Sequence, residues 1–277
     1  MAFKIVADSS CDLTSFSAVD FASVPLTIMA GERTFVDDAR LDPREMLDYL
    51  ATYKGRSTTA CPNPDDWRAA FGEADEVVCI TITSNLSGAC NSARIAREDY
   101  LRQHPERKVL VVDSLSTGPE MVLLIEKVAE WHLAGYTFEA IEKMVEDYRQ
   151  TTHLTFALES LRSLVNNGRV SPAVAALAGL LNIRIVGIAS DVGTLQPVNK
   201  CRGEKRTQQG LINAMKERGF KGGKVRIAHC ANEAAAEKFM QMVLAAYPQA
   251  QVQISKCLGL CSYYAEKGGL LVGYEKF

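Results

Sequence analysis

The chain has 277 residues, with 31 Lys and Arg against 33 Asp and Glu, and a formal net charge of −2. Such a length can bury a substantial core, and we expect two α/β domains. Without a strongly basic block we expect no nucleic acid partner, and without an apolar run of roughly 20 residues we expect no integral membrane segment. Because the opening residues MAFKIVADSS lack the charged and apolar regions of a signal peptide, a cytoplasmic location is predicted.

One pattern recurs three times in the first half of the chain. Short β-rich runs at residues 3–7, 76–82 and 108–112 are each followed by a hydroxyl-rich loop and then by a helix pattern. Such units build a parallel sheet whose polar loops gather along one edge, where open α/β sheets usually bind ligands. Ser9 and Ser10 in the first loop either line such a site or cap the next helix. In the third loop, Ser114 is a supporting candidate.

The second of these junctions suggests what the site holds. Ser84, Ser87 and Asn91 supply side-chain donors around the start of a helix predicted over residues 87–103, and Gly88 keeps the backbone approachable. A phosphate or carboxylate suits this position, because the first N–H groups of a helix lack internal partners and lie at its electropositive end. An ordinary helix start, with an N-cap serine and no bound anion, explains the same pattern equally well.

Three further segments complete the first half. Residues 24–28 are predicted to form an edge strand, because they contain a proline. Asp42-Pro43 opens a helix. Residues 57–64 are too rich in hydroxyls and prolines for regular structure, so we expect an extended irregular segment. It is either a rigid connector or a wall that presents Thr59 to a ligand.

The domain change is placed near Thr151, which gives an N-terminal domain of residues 1–151 and a C-terminal domain of residues 152–277. Just beyond this boundary, a helix over residues 161–168 closes with an Asn-Gly C-cap. Arg169 then lies exposed past the helix end, either solvated or aimed across the boundary.

The C-terminal half also has an α/β pattern. An Ala- and Leu-rich helix over residues 172–181 is predicted as buried core, with the wall of an apolar cavity as the alternative. Strands at 184–189 and 195–200 flank a hairpin turn, and the second delivers Arg202 to a basic cluster that can meet phosphate. Further strands, a helix and a closing strand are predicted to complete a mixed sheet.

The distribution of the cysteines indicates buried packing side chains rather than disulfide bonds or metal ligands. All eight are scattered, mostly inside apolar segments, so we expect small buried side chains rather than a disulfide framework. Cys257 and Cys261 are four residues apart, but no second pair with ligand spacing accompanies them. We therefore predict no metal site.

The common catalytic signatures are absent from the sequence, including a Walker loop, a Rossmann glycine fingerprint, an HExxH helix and a nucleophile elbow. Hydroxyl-bearing loops, a few arginines and ample apolar surface suit an amphiphile with one anionic head. Two alternatives stay open. One is a phosphotransfer or hydrolytic enzyme that uses Asp8 or Asp113 with Arg202, and the other is a regulatory protein that senses a lipid.

Six short segments, spread from end to end of the chain, share motifs with one known family. In chain order they are Asp8-Ser9-Ser10-Cys11-Asp12-Leu13 (DSSxDL), Thr59-Ala60-Cys61-Pro62-Asn63-Pro64 (a variant of TSxPSP), Ser84-Asn85-Leu86-Ser87-Gly88 (SxLSG), Asp113-Ser114 followed by Gly118, Asn167-Gly168-Arg169 in place of a GGR turn, and Arg202 after Lys200. Each piece is weak alone, but six in order are specific. Together they resemble the DegV family of bacterial fatty-acid-binding proteins.

The resemblance implies a two-domain α/β protein, with an N-terminal parallel sheet flanked by helices and a C-terminal mixed sheet. It implies that a long-chain fatty acid is buried between the domains and that its carboxylate is presented to a fatty acid kinase. Thr59 and Ser87, with the backbone of Gly88, would then hold the carboxylate. Arg169 and Arg202 would face the kinase or the new phosphate. The kinase would supply ATP and catalysis, so no cofactor or catalytic residue is expected in this chain.

Three positions depart from the family pattern. Ala60 and Asn63 each replace a serine, and the third departure lies near the C-terminus. Family members often have a histidine in a C-terminal HxGPG turn beside the carboxylate, whereas the comparable segment here is Tyr264-Ala265-Glu266-Lys267-Gly268. Tyr264 can donate one hydrogen bond but cannot become cationic near neutral pH. We therefore expect Tyr264 at the carboxylate. We expect Ser84 and Asn91 to have supporting roles at the carboxylate site.

Overall fold

The computed structural model describes residues 2–176 and 183–277. The strands are β1 (Phe3–Asp8), β2 (Asp20–Val24), β3 (Thr27–Ala30), β4 (Arg33–Val36), β5 (Ser57–Ala60), β6 (Glu76–Thr81), β7 (Lys108–Asp113), β8 (Thr152–Leu158), β9 (Arg184–Ala189), β10 (Leu195–Cys201), β11 (Lys224–His229), β12 (Gln251–Lys256) and β13 (Leu270–Glu275). The helices are α1 (Pro43–Thr52), α2 (Pro64–Phe71), α3 (Ala89–Gln103), α4 (Pro119–Leu133), α5 (Phe138–Arg149), α6 (Arg162–Asn166), α7 (Pro172–Ala175), α8 (Glu204–Glu217), α9 (Glu233–Ala246) and α10 (Gly259–Ala265).

The predicted N-terminal parallel sheet is confirmed. Its strand order is β2-β1-β6-β7, and every neighbouring pair is parallel. Its central strands are apolar on both faces, with Ile5 and Val78 fully buried on one face and Val6 fully buried on the other, as expected when helices cover both sides of a sheet. Because β1, β6 and β7 are adjacent and parallel, the three loops that follow them lie along one edge.

A small antiparallel sheet beside it, in the order β4-β3-β5, corrects two predictions. The single strand expected over residues 24–28 is wrong, because β2 ends at Val24 and β3 begins at Thr27 in another sheet. Pro25 separates them, since it has no N–H to donate to a ladder. The irregular segment expected over residues 57–64 is also wrong at its start, because β5 pairs with β3 and places Thr59 opposite Ile28.

The predicted C-terminal mixed sheet is confirmed, in the order β10-β9-β8-β13-β11-β12. Only β11 and β12 pair in parallel, and the last strand, β13, inserts between β8 and β11. The predicted hairpin connects β9 to β10 through Gly193, whose φ of +74° suits glycine. An added Cβ at Gly193 would lie 2.9 Å from the Cα of Leu115. The hairpin tip therefore touches a loop of the N-terminal sheet.

Two helices join the sheets. α4 packs against β6 on one side and against β13 and β11 on the other. α10 follows β12 in the chain, yet its Leu260 and Tyr263 belong to the apolar core of the N-terminal sheet. The contact region between the sheets is therefore built from both halves of the sequence.

Two predicted helices differ from the structure in extent. α3 begins at Ala89 rather than Ser87, with Gly88 as its N-cap. α7 covers only the start of the helix predicted over residues 172–181, and most of that prediction lies outside the described residues. No described helix is long and apolar enough to cross a membrane.

Candidate functional site

A cavity of about 310 Å³ lies between the loop edge of the N-terminal sheet and the face of the C-terminal sheet. Most of its wall is aliphatic or aromatic. Leu26, Ile82 and Leu115 line it from the first half of the chain, and Leu154, Phe156 and Leu271 line it from the second half. An apolar chain is the kind of ligand that such a wall favours.

Polar groups gather in one part of this wall. Thr59, Ser87, Gly88, Arg169 and Tyr264 all line the cavity. The hydroxyls of Thr59 and Tyr264 are 2.8 Å apart and hydrogen bonded. The structure thus brings together five residues that come from four separate segments of the sequence. We refer to them below as the polar clamp.

Local structure accounts for two members of the polar clamp. The Oγ of Ser87 accepts a hydrogen bond from the N–H of Ala89, at 3.2 Å, in the first turn of α3. Ser87 precedes Gly88, the N-cap of α3, so it supports the start of the helix without being its N-cap, and its own O–H is still available as a donor. After α6, Gly168 adopts a left-handed conformation, and Arg169 follows it. The Nε of Arg169 donates to the carbonyl of Leu86, at 3.1 Å. It is half-buried and aimed toward the N-terminal sheet rather than solvated.

Tyr264 owes its position to two buried carboxyl groups. The carboxylate of Asp37 accepts from the N–H groups of Gly259 and Leu260, at 2.7 and 2.9 Å, and Asp12 accepts from Leu258, at 2.7 Å. These bonds satisfy the first N–H groups of α10, which would otherwise be buried without partners. A side chain at position 259 would collide with Asp37, so the close approach requires glycine there.

Tyr263 ties the same helix to both halves of the chain. Its hydroxyl lies 2.7 Å from the Oγ of Ser57 and accepts from the Nδ2 of Asn167, at 2.8 Å. Asn167 immediately precedes the turn that carries Arg169. The two tyrosines of α10 therefore connect β5 and the end of α6, which both contribute to the polar clamp.

Burial raises the pKa of the carboxyl groups beneath the site. The pKa of Asp12 is raised to about 8 by burial, although the hydrogen bond from Leu258 partly offsets this. The pKa of Asp8 is raised to about 6, also by burial, against hydrogen bonds from Ser10 and Ile82. Burial also raises the pKa of the Tyr264 phenol, so this hydroxyl stays a neutral donor at ordinary pH.

The remaining predicted site residues of the loops lie behind or beside the cavity. Ser9 is buried and accepts from the N–H of Leu26, at 3.0 Å. Ser10 donates to the carboxylate of Asp8, and Ser114 is bonded to the backbone of Ser116, at 3.0 Å. These three serines stabilise the loop edge and do not line the cavity.

Ser84, Asn91 and Arg202 are exposed and also lie outside the cavity wall. The N–H of Ser84 donates to Asp113, at 3.1 Å, so this carboxylate joins the second loop to the third. Arg202 lies in a surface depression with Lys200 and Arg206. Neither Asp8 nor Asp113 lines that depression, so the structure does not bring together the residues of the enzymatic alternative.

The cysteines agree with the packing prediction. All eight are free thiols, and seven are buried. The exception, Cys61, is exposed and lines the cavity beside Gly88. Among residues 2–176 and 183–277, no three His, Cys, Asp or Glu side chains are grouped so that they could hold a metal ion.

Sequence reasoning missed two parts of the site. The apolar wall from β8 consists of Leu154, Phe156 and Leu158, and their period of two is a signal that could have identified an inward face. The anchor of α10 on Asp12 and Asp37 left no comparable signal, because the partners are more than 200 residues apart along the chain.

The fold and site define a class: α/β proteins with two sheets and an apolar cavity that carries a polar clamp. The family model described as "Uncharacterised protein, DegV family" matches residues 2–276. The chain therefore belongs to the DegV family.

A DegV domain-containing protein of Streptococcus pneumoniae is 41% identical over 279 residues, covering 99% of each chain. A DegV domain-containing protein of Streptococcus pyogenes serotype M1 is 42% identical, covering 99% of this chain and 100% of its own.

Two solved structures are similar over the full length of both chains. One is a DegV family protein from Eubacterium eligens loaded with heptadecanoic acid, with a TM-score of 0.97 and 45% identity. The other is the Streptococcus pneumoniae Fatty Acid Kinase (Fak) B3 protein loaded with linoleic acid, with a TM-score of 0.97 and 41% identity. Each comparison covers 100% of this chain and 100% of the other.

Proposed function

We propose that this protein binds a long-chain fatty acid, with the acyl chain in the apolar cavity and the carboxylate at the polar clamp. The observation that carries the proposal is that a mostly apolar wall carries Thr59, Ser87, Gly88 and Tyr264 together. A volume of about 310 Å³ is that of a ligand site, since such sites span roughly 300–1,000 Å³. The fatty acids held by two similar proteins support the same ligand class.

Affinity and orientation come from different parts of the site. Each buried methylene contributes about 0.8 kcal/mol, so the acyl chain supplies most of the binding energy. The clamp fixes the head, because Ser87 and Tyr264 offer hydroxyl donors to a carboxylate while the Thr59 hydroxyl holds Tyr264 in place. Hydrogen bonds to a charged acceptor are worth about 1.5–3 kcal/mol each.

The same proposal extends to the role of the bound acid. We infer that the chain is a carrier without catalytic residues or cofactor, and that it presents the carboxylate to a fatty acid kinase in the cytoplasm. Arg169 would meet the carboxylate or the new phosphate from the cavity wall, and exposed Arg202 would face the kinase. The likeness to the Fatty Acid Kinase B3 protein supports this partnership. The domains of this carrier would be residues 1–151 and 152–277.

Removing single hydroxyls from the polar clamp tests the proposal. We expect Ser87→Ala and Tyr264→Phe each to weaken binding of a long-chain fatty acid about tenfold, because each deletes one donor to a charged group. The apparent Kd is measured by displacement of a fluorescent fatty acid from delipidated protein. Tyr247→Phe is the matched control, since Tyr247 packs on Phe220 far from the clamp, and it should bind like the parent.

Binding of all three variants with the parent's affinity would refute the clamp assignment. A fatty alcohol of the same length provides a second control. It lacks the carboxylate, so Ser87→Ala and Tyr264→Phe should change its affinity much less than that of the acid.

A further inference from the structure

A second cavity, of about 500 Å³, lies on the other side of Leu115 and Ala189, which line both cavities. Its wall differs in kind from that of the acyl cavity. Three basic side chains reach it from three elements: Arg149 at the end of α5, Arg218 just past α8, and Lys276 just past β13. Few apolar side chains line it, so it does not suit an extension of the acyl chain.

The charges around this second cavity favour the binding of an anion. Arg149 and Arg218 are each paired with an exposed or half-exposed carboxylate, Glu146 and Asp191, at 2.5 and 2.6 Å. Lys276 forms no ion pair with any residue of the described ranges 2–176 and 183–277. Its ammonium group therefore adds a positive charge that the protein itself leaves unbalanced.

One buried carboxyl group opposes these cations. Glu120 is 4% exposed and accepts a hydrogen bond from the hydroxyl of Thr152, at 2.9 Å. Burial raises the pKa of Glu120 to about 7, against the hydrogen bonds and the nearby arginines. Near neutral pH it therefore carries only part of a negative charge. Asp191 also lines the cavity and offsets the charge of Arg218, its partner, so the cations Arg149 and Lys276 leave the wall net positive.

Three buried polar atoms around this cavity have no hydrogen-bond partner among the described residues. They are the Nε of Arg149, the Nε2 of His153 and the hydroxyl of Tyr274. Arg149 and His153 line the cavity, and the Tyr274 ring lies 5.7 Å from that of His153 and is fully buried. Unpaired buried groups are rare in folded proteins, so three together indicate an external partner.

We propose that this second cavity binds a small tetrahedral oxyanion, either inorganic phosphate or the phosphate group of a small polar molecule. Arg149, Arg218 and Lys276 approach from three elements, and the several oxygens of a phosphate can accept from donors in different directions. A planar carboxylate offers only two oxygens and fits such a set less well. Neutral His153, whose pKa burial lowers to about 4, supplies one further donor.

Titration calorimetry of the full chain at low ionic strength tests this site. We expect saturable binding of inorganic phosphate, and weaker binding of acetate. Glycerol phosphate is the second probe, because tighter binding of the ester than of the free ion would identify a phosphorylated molecule as the ligand. The measurements are made with fatty-acid-loaded and with delipidated protein, so they do not depend on the acyl ligand.

Lys276→Gln should weaken phosphate binding about tenfold, because it removes the one cation without a protein partner. Lys256→Gln, on exposed β12, is the matched control and should bind like the parent. His153→Gln provides a second variant with an intact charge count, and we expect a smaller loss. Absence of saturable phosphate binding to the parent, or equal affinity in Lys276→Gln and the parent, would overturn the proposal.

Discussion

Asp37→Ala is expected to lower the free energy of unfolding by about 2–5 kcal/mol, because it leaves two buried N–H groups without acceptors. The carboxylate of Asp37 is 3% exposed and holds the N–H groups of Gly259 and Leu260 at the start of α10. Loss of this anchor also displaces Tyr264, which lies on the same helix. Fatty acid retention should therefore fall together with stability. Urea unfolding and acyl-chain retention at a temperature where both proteins are folded measure the two effects.

The neighbouring residue supplies the control for this experiment. Asp38 pairs with Arg40 at the surface, and Asp38→Ala should cost less than about 1 kcal/mol. It should leave retention unchanged. Asp37→Asn keeps one acceptor oxygen, so an intermediate loss is expected. If Asp37→Ala unfolds like Asp38→Ala and still retains the acid, the anchoring role of Asp37 is wrong.

Arg226→Met is expected to destabilise the fold by about 3–5 kcal/mol, because it leaves a largely buried carboxylate without its partner. Arg226 on β11 forms two hydrogen bonds with Glu126 on α4, at 2.8 and 2.6 Å. The two side chains are only 9% and 17% exposed. This pair fastens α4, which also packs against the N-terminal sheet, to the C-terminal sheet.

A double-mutant cycle isolates the interaction of Glu126 with Arg226. Glu126→Gln combined with Arg226→Met should recover part of the lost stability, since no unpaired charge then remains buried. Lys238→Met is the surface control. Its partner Glu204 is 38% exposed, so a loss below about 1 kcal/mol is expected. A loss of similar size in Arg226→Met and Lys238→Met would contradict the account of this pair.

Local signals in the sequence were sufficient for most of the N-terminal sheet. Val- and Ile-rich runs ending in Asp, Ser and Thr predicted β1, β6 and β7 together with the edge at which their loops meet. These elements are set by neighbouring residues, namely apolar runs, turn residues and helix caps. Such information is present within a dozen residues of any position.

The errors fall where structure depends on distant partners. Ser57–Ala60 looks irregular by composition, yet β5 forms because β3 supplies its hydrogen-bonding partner. Helix α10 was not predicted, since it is short and begins at Gly259, a residue of low helix propensity, and the helix is stabilised by Asp12 and Asp37. Both elements form because tertiary contacts stabilise them, although their local sequences do not favour a strand or a helix.

The candidate site could be predicted only in part, for the same reason. Motifs identified Thr59, Ser87 and Tyr264 as candidates for binding the carboxylate and Arg169 as a residue facing the kinase or phosphate, and the structure brings all four to one cavity. Ser9, Ser10 and Ser114 carry the same hydroxyls in similar loops but face the protein interior. Whether a loop serine faces the ligand or the backbone depends on the direction of a single turn, which composition does not encode.

The most direct test of the central claim is native mass spectrometry of the intact protein purified from cells, followed by extraction and identification of any bound small molecule. We expect a co-purified long-chain fatty acid at up to one per chain, which is released on denaturation. After delipidation, added long-chain acids should restore the same complex. A protein that purifies empty and fails to bind added long-chain fatty acids would contradict the account.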